Sequence, residues 1–211
     1  MPVAFRGRAY SEVAKTPIPR FINTMAITFQ QTLMTPAVRR AQEHYYGRTA
    51  KAVPTPNRDE LSAEETDFIT DRDSFYIATI TEHGWPYIQH RGGPKGFLKV
   101  LGQNQLGFAD FKGNRQMFST GNLDGNNRVC LFLMDYPHRE RLKILGHARV
   151  LDAREQPDLA DQLSPTKELR GSVERLFLID VLGFDWNCSQ FISPRYTVKE
   201  FQAFELDARI R

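Results

Sequence analysis

The stretch FYIATITEHGWPYIQHRGGPKGFLKVLGQNQLGFADFKGNRQMFSTGNLDGNNRVCLFLMDYPHRERLKILGH, residues 75–147, decides the fold. It opens with FYIATIT (75–81), β-branched and aromatic with little polar alternation, which reads as a strand covered on both faces. Glu82-His83-Gly84 supplies a tight turn, and WPYIQHR (85–91) returns. GFLKVL (96–101) and QLGFAD (105–110) flank a turn at Gly102-Gln103-Asn104. RVCLFLMDY (128–136) and RLKILGHARVLDA (141–153) flank another at Pro137-His138, and RLFLIDVLGFDW (175–186) is the last long strand candidate. Short strands joined by close turns, with few long crossovers, predict a mainly β (α+β) chain built on an antiparallel barrel.

Helical segments surround this block. Ser62-Ala63-Glu64-Glu65 is a capping box, in which the serine oxygen accepts from a first-turn N–H while Glu65 reaches back. It opens a short helix to about Thr70 that would bury Phe68 and Ile69. Upstream, Phe21, Ile22, Met25, Phe29, Leu33 and Met34 recur near helical spacing. Thr35-Pro36 fits an N-cap followed by proline at the first helical position, and Gly47 stops the helix AVRRAQEHYY. KAVPTPNRDE (51–60) is a polar linker with two prolines. Residues 1–60 therefore read as a helical N-terminal extension, either packed against the barrel or serving as a lid or dimer arm. QMFSTGN, EQPDLADQL and residues 197–204 are further short helix candidates.

The 211 residues carry 28 basic and 25 acidic side chains, a balance that argues against a nucleic-acid partner. No run approaches the ~20 apolar residues of a membrane span, and MPVAFRGRAY lacks the apolar core of a signal peptide. Cys130 and Cys188 have neither CxxC nor zinc spacing, and His44, His83, His90, His138 and His147 are scattered. Neither a metal site nor a disulfide framework is expected, and a cytoplasmic location is. GxSxG, P-loop and GxGxxG patterns are missing from the sequence.

Three donor-rich segments stand out. Gln89-His90-Arg91 ends an apolar strand and runs into Gly92-Gly93-Pro94. The glycines allow close backbone approach to a flat ligand, or equally a bulge at a barrel corner. Alternation puts Gln89 and Arg91 on one strand face and His90 on the other. The turn after Asp110, Lys112-Gly113-Asn114-Arg115-Gln116, precedes a helix candidate; its donors suit a phosphate, and it also reads as a solvated surface turn. The third segment runs from Asp185-Trp186-Asn187 through Gln190 to Arg195-Tyr196. It could line the slot of a flavin ring or be an ordinary loop with a helix N-cap at Ser193 or Thr197.

Taken in order, P-Y-I-Q-H-R-G-G-P-x-G-F, F-A-D-F-x-G-N-R-Q, G-N-L, L-F-L-M-D-Y, R-L-K-I-L-G and N-C-x-Q-x-I-x-P-R resemble the pyridoxamine 5′-phosphate oxidase-like family of FMN-binding split barrels. The likeness covers about residues 62–196. It implies a six-stranded antiparallel split β-barrel with peripheral helices over residues 61–211, assembled as a homodimer with two FMN molecules at the interface. It implies that the strand through Gln89 and His90 to Arg91 lines the flavin and supplies a phosphate-binding arginine, that the turn after Asp110 grips the phosphate with Lys112, Asn114 and Arg115, beside Gln116, and that the Asn187–Arg195 segment, with Gln190, reaches the isoalloxazine from the other subunit, next to Trp186 as a candidate wall of the flavin slot. The chain also departs from the oxidase. Gly92-Gly93-Pro94 interrupts the strand that should carry a lysine, leaving Lys95 or Lys99 to stand in. Gly113-Asn114-Arg115 replaces a serine–lysine pair, and the C-terminal Arg-Leu-His-Asp-Arg motif is missing, Ser193-Pro194-Arg195-Tyr196 being its nearest counterpart.

The resulting expectation is an FMN-dependent oxidoreductase acting on a small-molecule substrate or electron donor, with His90 and Arg195 as the candidate catalytic residues. Two other readings stay open: an FMN carrier or sensor without turnover, and a haem-binding split barrel using His90 or His147.

Overall fold

The computed structural model describes residues 27–49, 58–113, 115–186 and 190–202. Two helices come first, α1 (Ile27–Leu33) and α2 (Pro36–Tyr46). The Thr35 hydroxyl accepts from the Val38 N–H, proline opens α2, and Gly47 ends it at φ 62°, its N–H donating to the Glu43 carbonyl. Helix α3 (Ala63–Thr70) carries the expected capping box, with the Ser62 N–H donating to Glu65 Oε2 at 2.9 Å. Phe68 and Ile69 are its buried face.

Seven strands follow: β1 (Ser74–Ile80), β2 (Pro86–Gly92), β3 (Lys99–Gly102), β4 (Gln105–Phe111), β5 (Arg128–Asp135), β6 (Glu140–Asp152) and β7 (Val173–Trp186). Helix α4 (Phe118–Gly125) lies between β4 and β5, and α5 (Pro157–Leu163) between β6 and β7. The sheet order is β2-β1-β5-β6-β7-β4-β3, with antiparallel pairing throughout.

The two longest strands belong to both halves of this sheet. Leu142–Leu145 of β6 pair with the end of β7 beside β5, β1 and β2. Gly146–Asp152 pair with the beginning of β7 beside β4 and β3. The register shifts between Leu145 and Gly146, and that bulge is the corner where the halves turn toward each other. Only glycine fits there, because a Cβ on Gly146 would lie 2.7 Å from the Asp180 carbonyl oxygen. The open seam is closed by side chains instead of a ladder. Phe75 of β1 meets Phe108 of β4 edge-on at 5.4 Å, and Phe108 stacks on Phe177 of β7 at 4.7 Å.

Two expectations are corrected. The resemblance implied six strands; the described residues form seven, the additional one being the four-residue edge strand β3. Strand β1 is buried on one face: Phe75, Ile77 and Thr79 are inside, while Tyr76 and Ile80 are exposed. Antiparallel sheets need only one covered face, and no layer of the described residues covers the outer side of β1.

Helix α1 packs against the barrel. Asp59 accepts the N–H groups of Thr28, Phe29 and Phe184, tying α1 to β7 and burying Phe29. A Cβ on Gly183 would fall 2.7 Å from both the Phe29 nitrogen and Asp59 Oδ2, so glycine is what lets α1 approach. Helix α2 buries no residue in the described chain.

Candidate functional site

Strand β2 presents Tyr87, Gln89 and Arg91 inward and Ile88 and His90 outward, as its alternation predicts. Arg91 crosses the seam. Its Nη1 meets Asp110 Oδ1 of β4 at 2.5 Å, and its guanidinium lies over the Phe177 ring at 5.1 Å. The other carboxylate oxygen of Asp110 accepts from Arg175 Nε of β7 at 2.9 Å, and Arg175 also reaches Glu174. The three side chains of this Arg91–Asp110–Arg175 clasp are 13–14% exposed. Arg91 Nε is buried without an acceptor among the described residues.

The first two donor segments thus meet at one corner. Gln89 Oε1 accepts from the buried Ser119 hydroxyl of α4 at 2.7 Å, and Asn122 of α4 donates to Thr79 of β1 at 2.9 Å. Helix α4 therefore begins beside the inner face of β2. It starts at Met117, φ 57°, without a side-chain cap, which leaves its first N–H groups available to an anion. Lys112, Gly113, Arg115 and Gln116 form the exposed turn leading into it. A Cβ on Gly113 would meet nothing within 4 Å, so the turn faces open space. Asn114 lies outside the described residues. His90 points away from the corner and packs edge-on against Tyr76 at 5.5 Å.

An open groove of about 1070 Å³ adjoins the corner through Arg175, between α4 and the second half of β6. Thr120, Asp124, His147, Arg149 and Asp152 line it. Much of its charge is already paired, Arg149 with Asp180 and Asp152 with Arg154, and His147 Nδ1 is hydrogen-bonded to Asn127 Oδ1.

The third segment stands apart. Trp186 on β7 and Arg91 on β2 are four strand spacings apart in the order β2-β1-β5-β6-β7. At about 4.8 Å per spacing that is roughly 19 Å measured along the curved sheet. Trp186 Nε1 donates to Glu65 at 2.7 Å, and its ring packs edge-on against Phe68. Gln190 and Arg195 are exposed, with the Arg195 guanidinium over the Tyr136 ring at 4.8 Å; Asn187 lies outside the described residues. One chain brings together Gln89, Arg91, Asp110, Lys112, Arg115 and Gln116, and does not bring Trp186 or Arg195 to them.

Beside the third segment, the β5–β6 hairpin carries a buried carboxylate. Asp135 is 5% exposed and accepts from the His138 N–H at 3.0 Å and from Arg72 at 2.7 Å. Burial pushes its carboxyl up, but the His138 N–H and the Arg72 charge outweigh that and hold it below its ordinary value. Glu140 is shifted the other way, raised by burial and then by the Asp135 charge. Asp135 and Arg175 could have been found from alternation. Asp135 follows Leu131 and Leu133 on one face of β5, and Arg175 precedes Phe177 and Ile179 on one face of β7.

Among the described residues no group of three or more His, Cys, Asp or Glu side chains could hold a metal ion, and no helix is long and apolar enough to cross a membrane.

No curated protein matches the chain. Among solved structures it is similar to HupZ of Group A Streptococcus, at 13% identity and TM-score 0.47, over 64% of this chain and 99% of that one. It is similar to a Clostridium acetobutylicum protein related to general stress protein 26, of the pyridoxinephosphate oxidase family (17%, 0.46, over 59% and 85%). It is also similar to an FMN-binding protein from Syntrophomonas wolfei (11%, 0.43, over 59% and 87%). The model of the family Pyridoxamine 5′-phosphate oxidase matches residues 61–175, from the residue before the α3 capping box to the arginine that clasps Asp110. With more than half its length matched, the chain belongs to the pyridoxamine 5′-phosphate oxidase family.

Proposed function

We propose that this chain binds FMN and works as an FMN-dependent oxidoreductase. The observation that carries the reading is the convergence at the β2–β4–α4 corner, with an exposed basic turn, an uncapped helix start and an orphaned buried Arg91 N–H in one place. These features fit a phosphate monoester. Lys112, Arg115 and the first N–H groups of α4 would hold it, with Gln116 at the same turn and Arg91 behind it. Asp110 would orient Arg91 and leave the anion to the turn. Bound there, the flavin would supply two-electron transfer. The chain's part would be to grip the phosphate, exclude water with the Phe75–Phe108–Phe177 wall, and orient the partner molecule.

The functional unit in this reading is a homodimer. Trp85, Tyr76, Ile80 and Ile88 are exposed on or beside the outer face of β1 and β2, an apolar surface of the kind that a second copy covers. The Trp186–Arg195 segment, separated from the corner within one chain, would complete the site from that copy.

FMN titration followed by flavin fluorescence tests the proposal. The protein should take up about one FMN per chain. Replacing Lys112 and Arg115 together with alanine should weaken uptake tenfold or more, since charge-assisted hydrogen bonds of about 1.5–3 kcal/mol are lost. A protein that takes up no FMN, or a double variant that binds it unchanged, would sink the reading.

A further inference from the structure

We infer that Tyr136 is a positioning residue: its ring is the platform that holds Arg195 as a receptor for an anionic group of the substrate. This deepens the flavin reading only in calling the ligand a substrate; the receptor itself rests on the geometry of the β5–β6 hairpin.

Three observations carry it. The Arg195 guanidinium lies over the Tyr136 ring at 4.8 Å, yet Arg195 makes no ion pair or hydrogen bond among the described residues. With the ring against it and no polar partner among the described residues, the guanidinium keeps its N–H donors for a ligand, and a carboxylate or phosphate can meet them with two parallel hydrogen bonds. The platform is also fixed. Its neighbour Asp135 is buried and clamped by Arg72 Nη1 at 2.7 Å. Arg72 is held in turn by the Phe68 and Met134 carbonyl oxygens, and it lies over the Phe68 ring at 4.6 Å. Finally, Phe68 also receives Trp186, the residue from which the Arg195 segment departs. Helix α3 therefore anchors both ends of the device, and an otherwise mobile, exposed side chain is ordered before any ligand arrives.

A long surface arginine would lose much rotamer freedom on gripping an anion, and the aromatic platform removes part of that loss beforehand. The ligand class is a small molecule with a carboxylate or a phosphate monoester, the two groups matched by a free guanidinium edge.

The test is an NMR titration of arginine-labelled protein, following the Arg195 Nε–H resonance identified by its loss in Arg195→Lys. Inorganic phosphate and acetate are the two probes, and whichever binds more tightly names the group. The wild type should show a saturable shift with at least one of them. Tyr136→Leu should weaken that anion about three- to fivefold, and Tyr136→Phe, which keeps the ring, should bind within about twofold of wild type. A merely structural role for Tyr136 would not be rescued by ring retention alone while both variants stay folded. Should Tyr136→Leu fail to fold, Tyr136→Met, which also removes the ring, gives the same comparison against Tyr136→Phe. Absence of a saturable wild-type shift, or equal affinity in the leucine variant, overturns the proposal. FMN uptake is measured on separate wild-type samples; its failure would remove the flavin reading and leave this titration standing.

Discussion

The chain concentrates polar groups at two places, and it builds them in opposite ways. At the β2–β4–β7 seam, Arg91 and Arg175 face each other across Asp110, all three largely withdrawn from water. At the β5–β6 hairpin the buried pair is Arg72 with Asp135, and the arginine beside it, Arg195, points outward over a tyrosine. The first arrangement holds two sheet halves together; the second holds one side chain ready. An arginine's place in the sequence does not reveal which of these it does. What separates them is the partner: a carboxylate neutralises the cation, whereas an aromatic face leaves the charge available.

Breaking the first arrangement should have the largest effect. Asp110→Ala leaves two arginines facing each other in a poorly solvated seam, and should cost on the order of 3 kcal/mol in chemical denaturation. Arg195→Ala should fall within about 0.5 kcal/mol of wild type. Equal losses in the two variants would erase the distinction. Next comes the docking of α1. Gly183→Ala sets a Cβ 2.7 Å from the Phe29 nitrogen and should cost about 2 kcal/mol, read as a lowered Tm. If Tm is unchanged, α1 does not contribute to the barrel core.

The third effect is smaller and depends on pH. The folded pKa of Asp135 is depressed, so its contribution is present above the ordinary carboxyl value and is lost as pH falls through the folded one. Glu140 is raised, so its contribution is present at low pH and is lost as pH rises through its folded value. Asp135→Asn should therefore flatten the fall in stability below about pH 4, by roughly 1 kcal/mol, and should let Glu140 titrate nearer its ordinary value. Urea denaturation across the acid range, together with carboxyl NMR titration of Glu140, checks both parts. An unchanged acid limb would mean that the Arg72–Asp135 clamp contributes nothing.

Much of the fold was legible because its signals are local. The Ser62 capping box, the Thr35-Pro36 start, the Gly47 stop and the turns at Gly84 and Pro137 each need only a few neighbouring residues, and each formed as expected. Alternation correctly separated Gln89 and Arg91 from His90. What stayed hidden was long-range. The linker KAVPTPNRDE gave no sign that its Asp59 would cap α1 and hold β7, because those partners lie 30 and 125 positions away. The partner of Arg91 was invisible for the same reason: Asp110 lies 19 positions from Arg91, and Arg175, the second arginine on that carboxylate, lies 65 positions further on. One-face burial of β1 was missed because a run of apolar and β-branched residues looks the same whether its outer face meets another layer or not.

The sharing of β6 and β7 between the two sheet halves has a consequence for synthesis. Strand β4 has no partner near it in the chain except the short β3; its main ladder is with β7, where Gln105 meets an aspartate 75 positions later. A nascent chain can pair β1 with β2 and β5 with β6 as each emerges. The β4 edge and the second half of β6 must wait for residues 173–186. Until then the barrel exposes unpaired strand edges, the state in which a chain is open to aggregation. The last of the described strands is thus the one that completes the sheet, and a fragment ending at Arg175, where the family match stops, would be left with its second half-sheet unmade.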